Sequence, residues 1–117
     1  MDSNKNSRLV GMLGFAMRAG KVVIGTDLVC RSMSKSGKDR PRLILLSDGA
    51  SQGAKKKVSC KAEFYGIELV SVPLSPEELG RLLGKSTTPV TVAITDDGFA
   101  REISLAAEAS EHTEEEN

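Results

Sequence analysis

The chain has 117 residues, of which 39% are hydrophobic and only 3% aromatic, and its 16 basic and 16 acidic residues give no net charge. This length fits one small domain with an aliphatic core, and the composition argues against a pocket rich in aromatic residues. No apolar run approaches the roughly 20 residues of a membrane span, and the polar first residues differ from a signal peptide. We therefore expect a cytoplasmic protein with no membrane association.

The zero net charge hides an uneven distribution. Residues 1–61 hold thirteen Lys or Arg residues against four Asp, a net charge of +9, whereas residues 102–117 hold six Glu and no Lys or Arg. Such a gradient points to an anionic partner, with nucleic acid first, and the alternative is an ordinary solvated basic face. We divide the chain into one domain over 1–107 and an acidic tail over 108–117 that we expect to be disordered.

The first third of the chain predicts two helices around a short strand. Apolar residues at helical spacing predict a first helix that stops at Gly20. The β-branched residues Val22 to Ile24 lie between two glycines and predict a strand. A second helix is predicted from Thr26 to about Ser36, where Gly37 follows.

The middle of the chain predicts a buried strand and a long helix. The continuous apolar run over residues 43–46 indicates a central strand that is covered on both faces. A third helix follows Ser51 and ends at Gly66. Residues 69–72 then predict another strand.

The last third predicts one more helix, strand and helix. Residues 75–78 (Ser-Pro-Glu-Glu) have the sequence of a capping box and predict the start of a fourth helix, which Gly84 ends. Residues 90–95 predict a strand, after which Asp96 and Asp97 are better explained as helix caps than as an acid–base pair. The alternating elements predict an α/β fold, a three-layer α/β/α sandwich around a small four-stranded mixed sheet.

The sequence offers little support for catalysis or metal binding. Residues 80–86 look like a phosphate-binding loop, but three residues rather than four separate the glycines, and these glycines lie within and at the end of a helix. Cys30, Cys60 and His112 lack metal-ligand spacing, and both cysteines are interpreted as small buried residues. We predict no catalytic residues, no metal site and no cofactor. A small nucleotide-binding enzyme is the weakest alternative.

The segment over residues 21–38 is the best candidate for a binding site. Gly25 precedes a predicted helix entrance, where free N–H groups can bind an anion or a base edge, and Arg31 adds charge one turn further along. From these residues alone, nucleic-acid binding and an ordinary basic face have equal weight.

Several separated motifs resemble one family. They cover residues 8–103 and are similar to the kink-turn-binding ribosomal proteins, which include the archaeal large-subunit protein seven-Ae and its thirty-e relatives. The motifs are residues 25–31 (Gly-Thr-Asp-Leu-Val-Cys-Arg), residues 43–48 (Leu-Ile-Leu-Leu-Ser-Asp), Val72-Pro73, residues 78–80 (Glu-Leu-Gly), and Gly84 before Pro89-Val90. The bacterial YlxQ-like branch is further resembled by residues 18–21, by Ser51 with residues 55–57, and by residues 95–100.

The resemblance implies an α/β/α sandwich that binds RNA without catalysis and grips a kinked duplex at tandem sheared G·A pairs. Family members use G-x-N-E-x-x-K at the start of helix two. Here Gly25 matches the Gly, Asp27 stands in place of Asn, Leu28 replaces Glu and Arg31 replaces Lys. Asp only accepts hydrogen bonds and Leu has no polar group, whereas Arg keeps the charge and can take a guanine edge in two bonds.

The predicted RNA-binding residues follow from this match. They are Lys21, Gly25, Thr26, Asp27, Leu28 and Arg31, then Ala50 and Ala54, and then the loop Lys85, Ser86, Thr87, Thr88 and Pro89. We predict a monomeric protein that binds structured, kink-turn-like RNA and is associated with the ribosome or with translation. The alternative keeps the fold but acts as a protein-interaction or assembly factor with weak or lost kink-turn binding.

Overall fold

Five α-helices alternate with four strands along the residues that the computed structural model describes, which are 2–116 for the backbone and 7–108 for the side chains. The elements in chain order are α1 (Asp2–Arg18), β1 (Val22–Ile24), α2 (Thr26–Ser32), a short 3-10 helix (Gly37–Asp39), β2 (Leu43–Ser47), α3 (Gln52–Tyr65), β3 (Glu68–Val72), α4 (Pro76–Leu82), β4 (Thr91–Ile94) and α5 (Asp97–Glu116).

The strands form one mixed sheet in the order β1-β4-β2-β3. β2 and β3 are parallel, whereas β4 pairs antiparallel with both β1 and β2. Every residue of β2 and β4 is buried. This confirms the mixed four-stranded sheet and the burial predicted for residues 43–46.

The sheet separates two apolar layers, because successive side chains of a strand point to opposite faces. Leu43 and Leu45 of β2 pack with α1, α4 and α5, while Ile44 and Leu46 pack with α2 and α3. The core is aliphatic, and the arrangement is the predicted three-layer sandwich.

Side-chain caps fix the starts of three helices, α3, α4 and α5, and the cap of α3 is Ser51. The Ser75 hydroxyl accepts the Glu78 N–H at 3.1 Å, and the Glu78 carboxylate accepts the Ser75 N–H at 2.7 Å, so the capping box is complete. The Asp96 carboxylate accepts the Phe99 N–H at 3.0 Å. The capping role predicted for Asp96 is therefore confirmed.

Helix α2 is shorter than predicted, since it ends at Ser32 rather than near Ser36. The Ser32 hydroxyl donates to the Val29 carbonyl at 2.7 Å, and the Ser34 hydroxyl donates to the Arg31 carbonyl at 3.1 Å. Serine side chains that bond the preceding turn compete with helix propagation. The 3-10 helix then begins at Gly37, whose φ is +73°.

The prediction that both cysteines are buried is half wrong. Cys30 is buried, but Cys60 is exposed, and both are free thiols. Cys60 lies two residues from each of the buried Val58 and Ala62. Two residues are about 200° of helical turn, so Cys60 faces solvent on the opposite side of α3.

The last helix continues past residue 108, where the acidic tail is predicted to begin. The side chains of residues 109–117, including His112, lie outside the described residues, and the separate tail stays a prediction. Among residues 7–108, no three His, Cys, Asp or Glu side chains lie close enough together to hold a metal ion. Within the described part of the chain, no helix is both long enough and apolar enough to span a membrane.

Candidate nucleic-acid interface

Three chain segments meet at one end of the sheet. The Gly25 N–H, between β1 and α2, donates to the Thr91 carbonyl at 2.9 Å, and the Ser47 N–H at the end of β2 donates to the Val90 carbonyl at 2.9 Å. The loop 85–89 leads into β4 at this point, and α3 starts just after β2. We call this the junction end, defined by Gly25, Ser47 and Thr91.

Gly25 shapes the entrance to α2. It is the N-cap residue with φ 109° and ψ 139°, and its carbonyl accepts the Val29 N–H at 2.9 Å. A side chain at this φ would be strained. A Cβ placed on Gly25 would have no described atom within 4 Å, so the space in front of the backbone is open. Glycine is therefore required by the conformation of the chain rather than by crowding within the protein.

The next two residues connect α2 to neighbouring elements. The Thr26 and Thr91 hydroxyls lie 2.9 Å apart, which ties the first turn of α2 to β4. The Asp27 carboxylate lies 3.2 Å from the Lys57 ammonium on α3, with the two side chains 78% and 53% exposed. An ion pair this exposed contributes about 0–1 kcal/mol to stability, so a ligand can open it at little cost.

Lys57 is a site residue that the sequence did not single out. Its only signal is its place in the run of lysines at 55–57, which resembles the YlxQ-like branch but is not among the predicted RNA-binding residues. The pairing with Asp27 spans 30 residues and depends on the packing of α2 against α3.

Leu28 faces solvent instead of the core, with 54% of its surface exposed. It lines a groove of about 380 Å³ together with Met17, Val22, Ile24 and Lys85. We call this the α1-side groove. The structure thus brings Leu28 and Lys85, which are far apart in the sequence, to one surface.

Arg31 lies further along α2 and is exposed. It lies six positions after Gly25, which is about 9 Å along a helix axis. It lines a second groove of about 360 Å³ with Leu28, Lys35 and Asp39, which we call the α2-side groove. Leu28 borders both grooves and connects Arg31 to the junction end.

The loop 85–89 is held from both sides. The Lys85 N–H donates to the Gly80 carbonyl at 2.8 Å, and Pro89 is buried. A Cβ on Gly80 would overlap the Thr87 carbonyl oxygen, so only glycine allows this approach. Gly80 thus positions the loop, a role that the sequence did not predict, and the loop residues at 85–88 stay exposed.

Three of the predicted RNA-binding residues are either far from the junction end or offer little exposed surface. Lys21 is at the opposite end of β1 from Gly25, a distance of about 13 Å along a strand. Ala50 is only 7% exposed and belongs to the core. Ala54 is half-buried in the first turn of α3, where its N–H donates to the Ser51 hydroxyl at 3.1 Å.

Fold and site together define an α/β sandwich with a polar and basic surface at one end of the sheet. The sequence model of the Ribosomal protein L7Ae/L30e/S12e/Gadd45 family matches residues 8–104. The chain belongs to this family, which confirms the resemblance predicted from its motifs.

Two curated relatives support the YlxQ-like branch. The chain is 41% identical over 92 residues to "RNA-binding protein YlxQ" of Bacillus subtilis (strain 168), a match that covers 79% of this chain and 87% of the relative. It is 27% identical over 101 residues to "RNA-binding protein YlxQ" of Enterococcus faecium, covering 86% and 92%. Both names describe RNA binding and no catalytic activity, in agreement with the prediction that this chain is not an enzyme.

Two solved structures share the fold. A protein with unknown function from Bacillus halodurans C is 28% identical, with a TM-score of 0.77 and coverage of 86% of this chain and 97% of that one. The Giardia lamblia 15.5kD RNA binding protein is 13% identical, with a TM-score of 0.70 and coverage of 93% and 89%. At this lower identity the likeness concerns the fold alone.

Proposed function

We propose that this protein binds structured RNA at the junction end and prefers a kink-turn to a plain duplex. The observation that carries the proposal is the meeting of Gly25, the loop 85–89 and the start of α3 around two backbone hydrogen bonds. RNA helices are recognised mainly through shape and backbone contacts. A composite surface of three segments can contact such a shape from several directions.

The exposed groups suit contacts with an RNA backbone. The open space beside Gly25 admits a phosphate–sugar chain close to the protein backbone. Lys85 and Arg31 supply cations, and Ser86, Thr87 and Thr88 supply exposed loop positions with hydroxyl groups. Such contacts fix the position of a nucleic acid, while contacts to base edges decide its sequence.

We infer that Asp27 and Lys57 act together in base reading. The family Asn carries both a donor and an acceptor on one amide, and Asp27 alone can only accept. The Lys57 ammonium, 3.2 Å from the Asp27 carboxylate, places a donor beside that acceptor. The pair thus presents both kinds of group at the position where one amide stands in the family motif.

A mobility shift comparing two RNAs tests the proposal. One RNA contains an intact kink-turn, and the other has the same length and base composition but carries Watson–Crick pairs in place of the sheared G·A pairs. We expect tighter binding of the kink-turn, with affinity falling as salt rises because phosphate contacts release counterions. Equal affinity for both RNAs would leave only general electrostatic binding.

One observation favours a second candidate, an assembly factor with weak kink-turn binding. Leu28, 54% exposed, presents an apolar side chain where family members carry Glu. Leu28→Glu separates the two functions, because it restores the family residue at a position that solvent already reaches. Stronger kink-turn binding by this variant supports the RNA contact. Unchanged binding would show that Leu28 makes no RNA contact, as the second candidate requires.

The proposal extends to a monomer in the cytoplasm that associates with ribosomes or the translation apparatus. The family includes ribosomal proteins by name, and the basic residues of 1–61 suit a large RNA. Sucrose-gradient sedimentation of cell extracts tests this. We expect the protein in ribosomal fractions, shifting to the top of the gradient after nuclease treatment. Sedimentation at the top without nuclease would contradict the association.

A further inference from the structure

Strand β1 lies at one edge of the sheet and has β4 as its single strand neighbour. Two hydrogen bonds just beyond the strand show which backbone groups face that neighbour. The Gly25 N–H donates to the Thr91 carbonyl at 2.9 Å, and the Thr95 N–H donates to the Lys21 carbonyl at 3.0 Å. Residues 21 and 25 therefore point toward β4, and so does residue 23 between them.

Val22 and Ile24 consequently present their N–H and C=O groups away from the sheet. No described group bonds to them across this edge. At three residues β1 is short, which itself limits pairing, but its sequence Val-Val-Ile has none of the charged residues or prolines that also protect natural edge strands. The edge is thus a short template with unpaired backbone groups and apolar side chains.

The two grooves described above flank this edge and differ in chemistry. The α1-side groove is walled by Met17, Val22, Ile24 and Leu28, with Lys85 at its rim. It offers about 380 Å³ of mainly apolar surroundings. Side chains of aliphatic residues fit such a surface.

The α2-side groove of about 360 Å³ is mixed: it shares Val22, Val23 and Leu28 with the α1-side groove, and charged and polar side chains form the rest of its wall. It contains the cations Arg31 and Lys35 against a single carboxylate, Asp39, along with Ser32 and Thr95. The excess of positive charge favours acidic side chains over basic ones.

We propose that the edge of β1 binds, by strand addition, an extended segment of a protein partner in which apolar and acidic residues alternate. A strand added to an edge sends alternate side chains to opposite faces, so one set enters the apolar groove and the other set meets the cations. This proposal does not rest on the RNA function proposed above. Leu28, Arg31 and Lys85 border both the edge of β1 and the proposed RNA surface. The segment and the RNA therefore exclude one another.

The first test uses a short synthetic peptide of alternating valine and glutamate, with blocked ends and a fluorescent label. Fluorescence anisotropy measures its binding to the full chain. Two control peptides keep its composition. One groups the valines and glutamates in separate blocks, and the other is N-methylated at every second amide, in the set that faces β1, and is made in two versions (valine amides or glutamate amides) because antiparallel and parallel addition use different sets. We expect the block peptide and one N-methylated version to bind about tenfold more weakly or worse, because they lose the alternation or the backbone hydrogen bonds.

The second test changes the protein at Val22. Its N–H points away from β4 and it is the first residue of the strand, which is a position where proline is tolerated. Val22→Pro should weaken the alternating peptide about tenfold, whereas Val22→Ala, which keeps the N–H, should weaken it only a few-fold. Both variants should bind kink-turn RNA like the wild type, so failure of this inference is distinct from failure of the RNA proposal.

Hydrogen exchange locates the bound peptide directly. The alternating peptide should slow exchange at the Val22 and Ile24 amides and leave Val23, already facing β4, unchanged. Equal affinity for both N-methylated versions would reduce the interaction to charge attraction and overturn the inference. Self-association of the protein through this edge in the absence of peptide would also overturn the inference, because the edge would then bind a second copy of the chain. The peptide controls decide the matter even if Val22→Pro does not fold.

Discussion

The two ends of the sheet use their basic residues in different ways. At the junction end, Lys85 stands exposed in its loop and Lys57 forms a solvent-facing ion pair. At the opposite end, a guanidinium N–H of Arg40 donates to the Tyr65 carbonyl, and one of Arg42 donates to the Gly37 carbonyl at 3.1 Å. There the basic side chains hold the protein together.

This contrast shows that net charge overstates the surface available to RNA. The +9 of residues 1–61 includes Arg42, whose side chain is only 30% exposed and whose Nε lies 3.2 Å from the Asp97 carboxylate, although without hydrogen-bond alignment. Cations that already have partners within the protein release fewer counterions from RNA than exposed ones. Substitutions at the two ends should therefore separate binding from stability.

The largest effect is expected from Gly25→Ala. A non-glycine residue at φ 109° costs about 1–3 kcal/mol of backbone strain. The junction end should distort, so we expect loss of both folding free energy and kink-turn affinity, measured by denaturant unfolding and mobility shift. Gly11→Ala is the matched control, because Gly11 lies in helix α1 with no described atom within 4 Å of a new Cβ. It should be neutral or stabilising. Equal loss in both variants would contradict the special role of Gly25.

A pair of arginine substitutions sharpens the comparison next. Arg31→Ala should cost about 1–3 kcal/mol of RNA binding if the guanidinium reads a base, with no change in melting temperature. Arg42→Ala should instead cost about 1 kcal/mol of stability through its lost hydrogen bond, and little affinity. Thermal melts and titrations on the same preparations check both. A lower melting temperature for Arg31→Ala would assign Arg31 a structural role.

A smaller effect is expected at the Asp27 and Lys57 pair. Lys57→Ala should weaken kink-turn binding by about 1 kcal/mol, because Asp27 is left as a bare carboxylate beside RNA. Adding Asp27→Asn should restore the affinity, since the amide supplies donor and acceptor alone. Kink-turn titrations of the single and double variants measure this. No recovery in the double variant would refute joint base reading, and stability should change by less than about 1 kcal/mol throughout.

The smallest effect is expected from the acidic residues near the end of the sequence. Removing residues 109–117 deletes four of the six Glu in residues 102–117. If these carboxylates compete with RNA for basic side chains, random RNA should bind more tightly at low salt, and the difference should fade as the Debye length falls from about 10 Å toward 3 Å. Kink-turn preference and melting temperature should stay the same. Identical random-RNA affinity at low salt would show that these residues are only a solvated end.

Features with a local cause were predictable from the sequence. The buried strand at 43–46 and the capping box at Ser75 depend on neighbouring residues, and the structure has both. The end of α2 was missed because serine back-bonding at Ser32 competes with helix propensity.

Features of the site that depend on distant packing were not predictable. The partnership of Lys57 with Asp27 needs α2 to lie beside α3, and nothing in a run of lysines indicates it. Likewise, the need for glycine at position 80 arises only when the Thr87 carbonyl is folded against it. The sequence therefore identified the segments of the site through a family resemblance, but not the contacts between them.

The clamped loop at 85–89 has a consequence for the speed of RNA association. Ordering one flexible residue costs about 1–2 kcal/mol of free energy through lost conformational entropy. A flexible loop would incur that cost when the RNA binds. Here the contacts of Gly80 with Lys85 and Thr87 order the loop when the protein folds. The surface is thus preorganised, so productive collisions need no slow rearrangement of the loop. A bulkier residue at position 80 would displace the Thr87 carbonyl and with it the loop, so it should lower the association rate constant for RNA as well as the affinity.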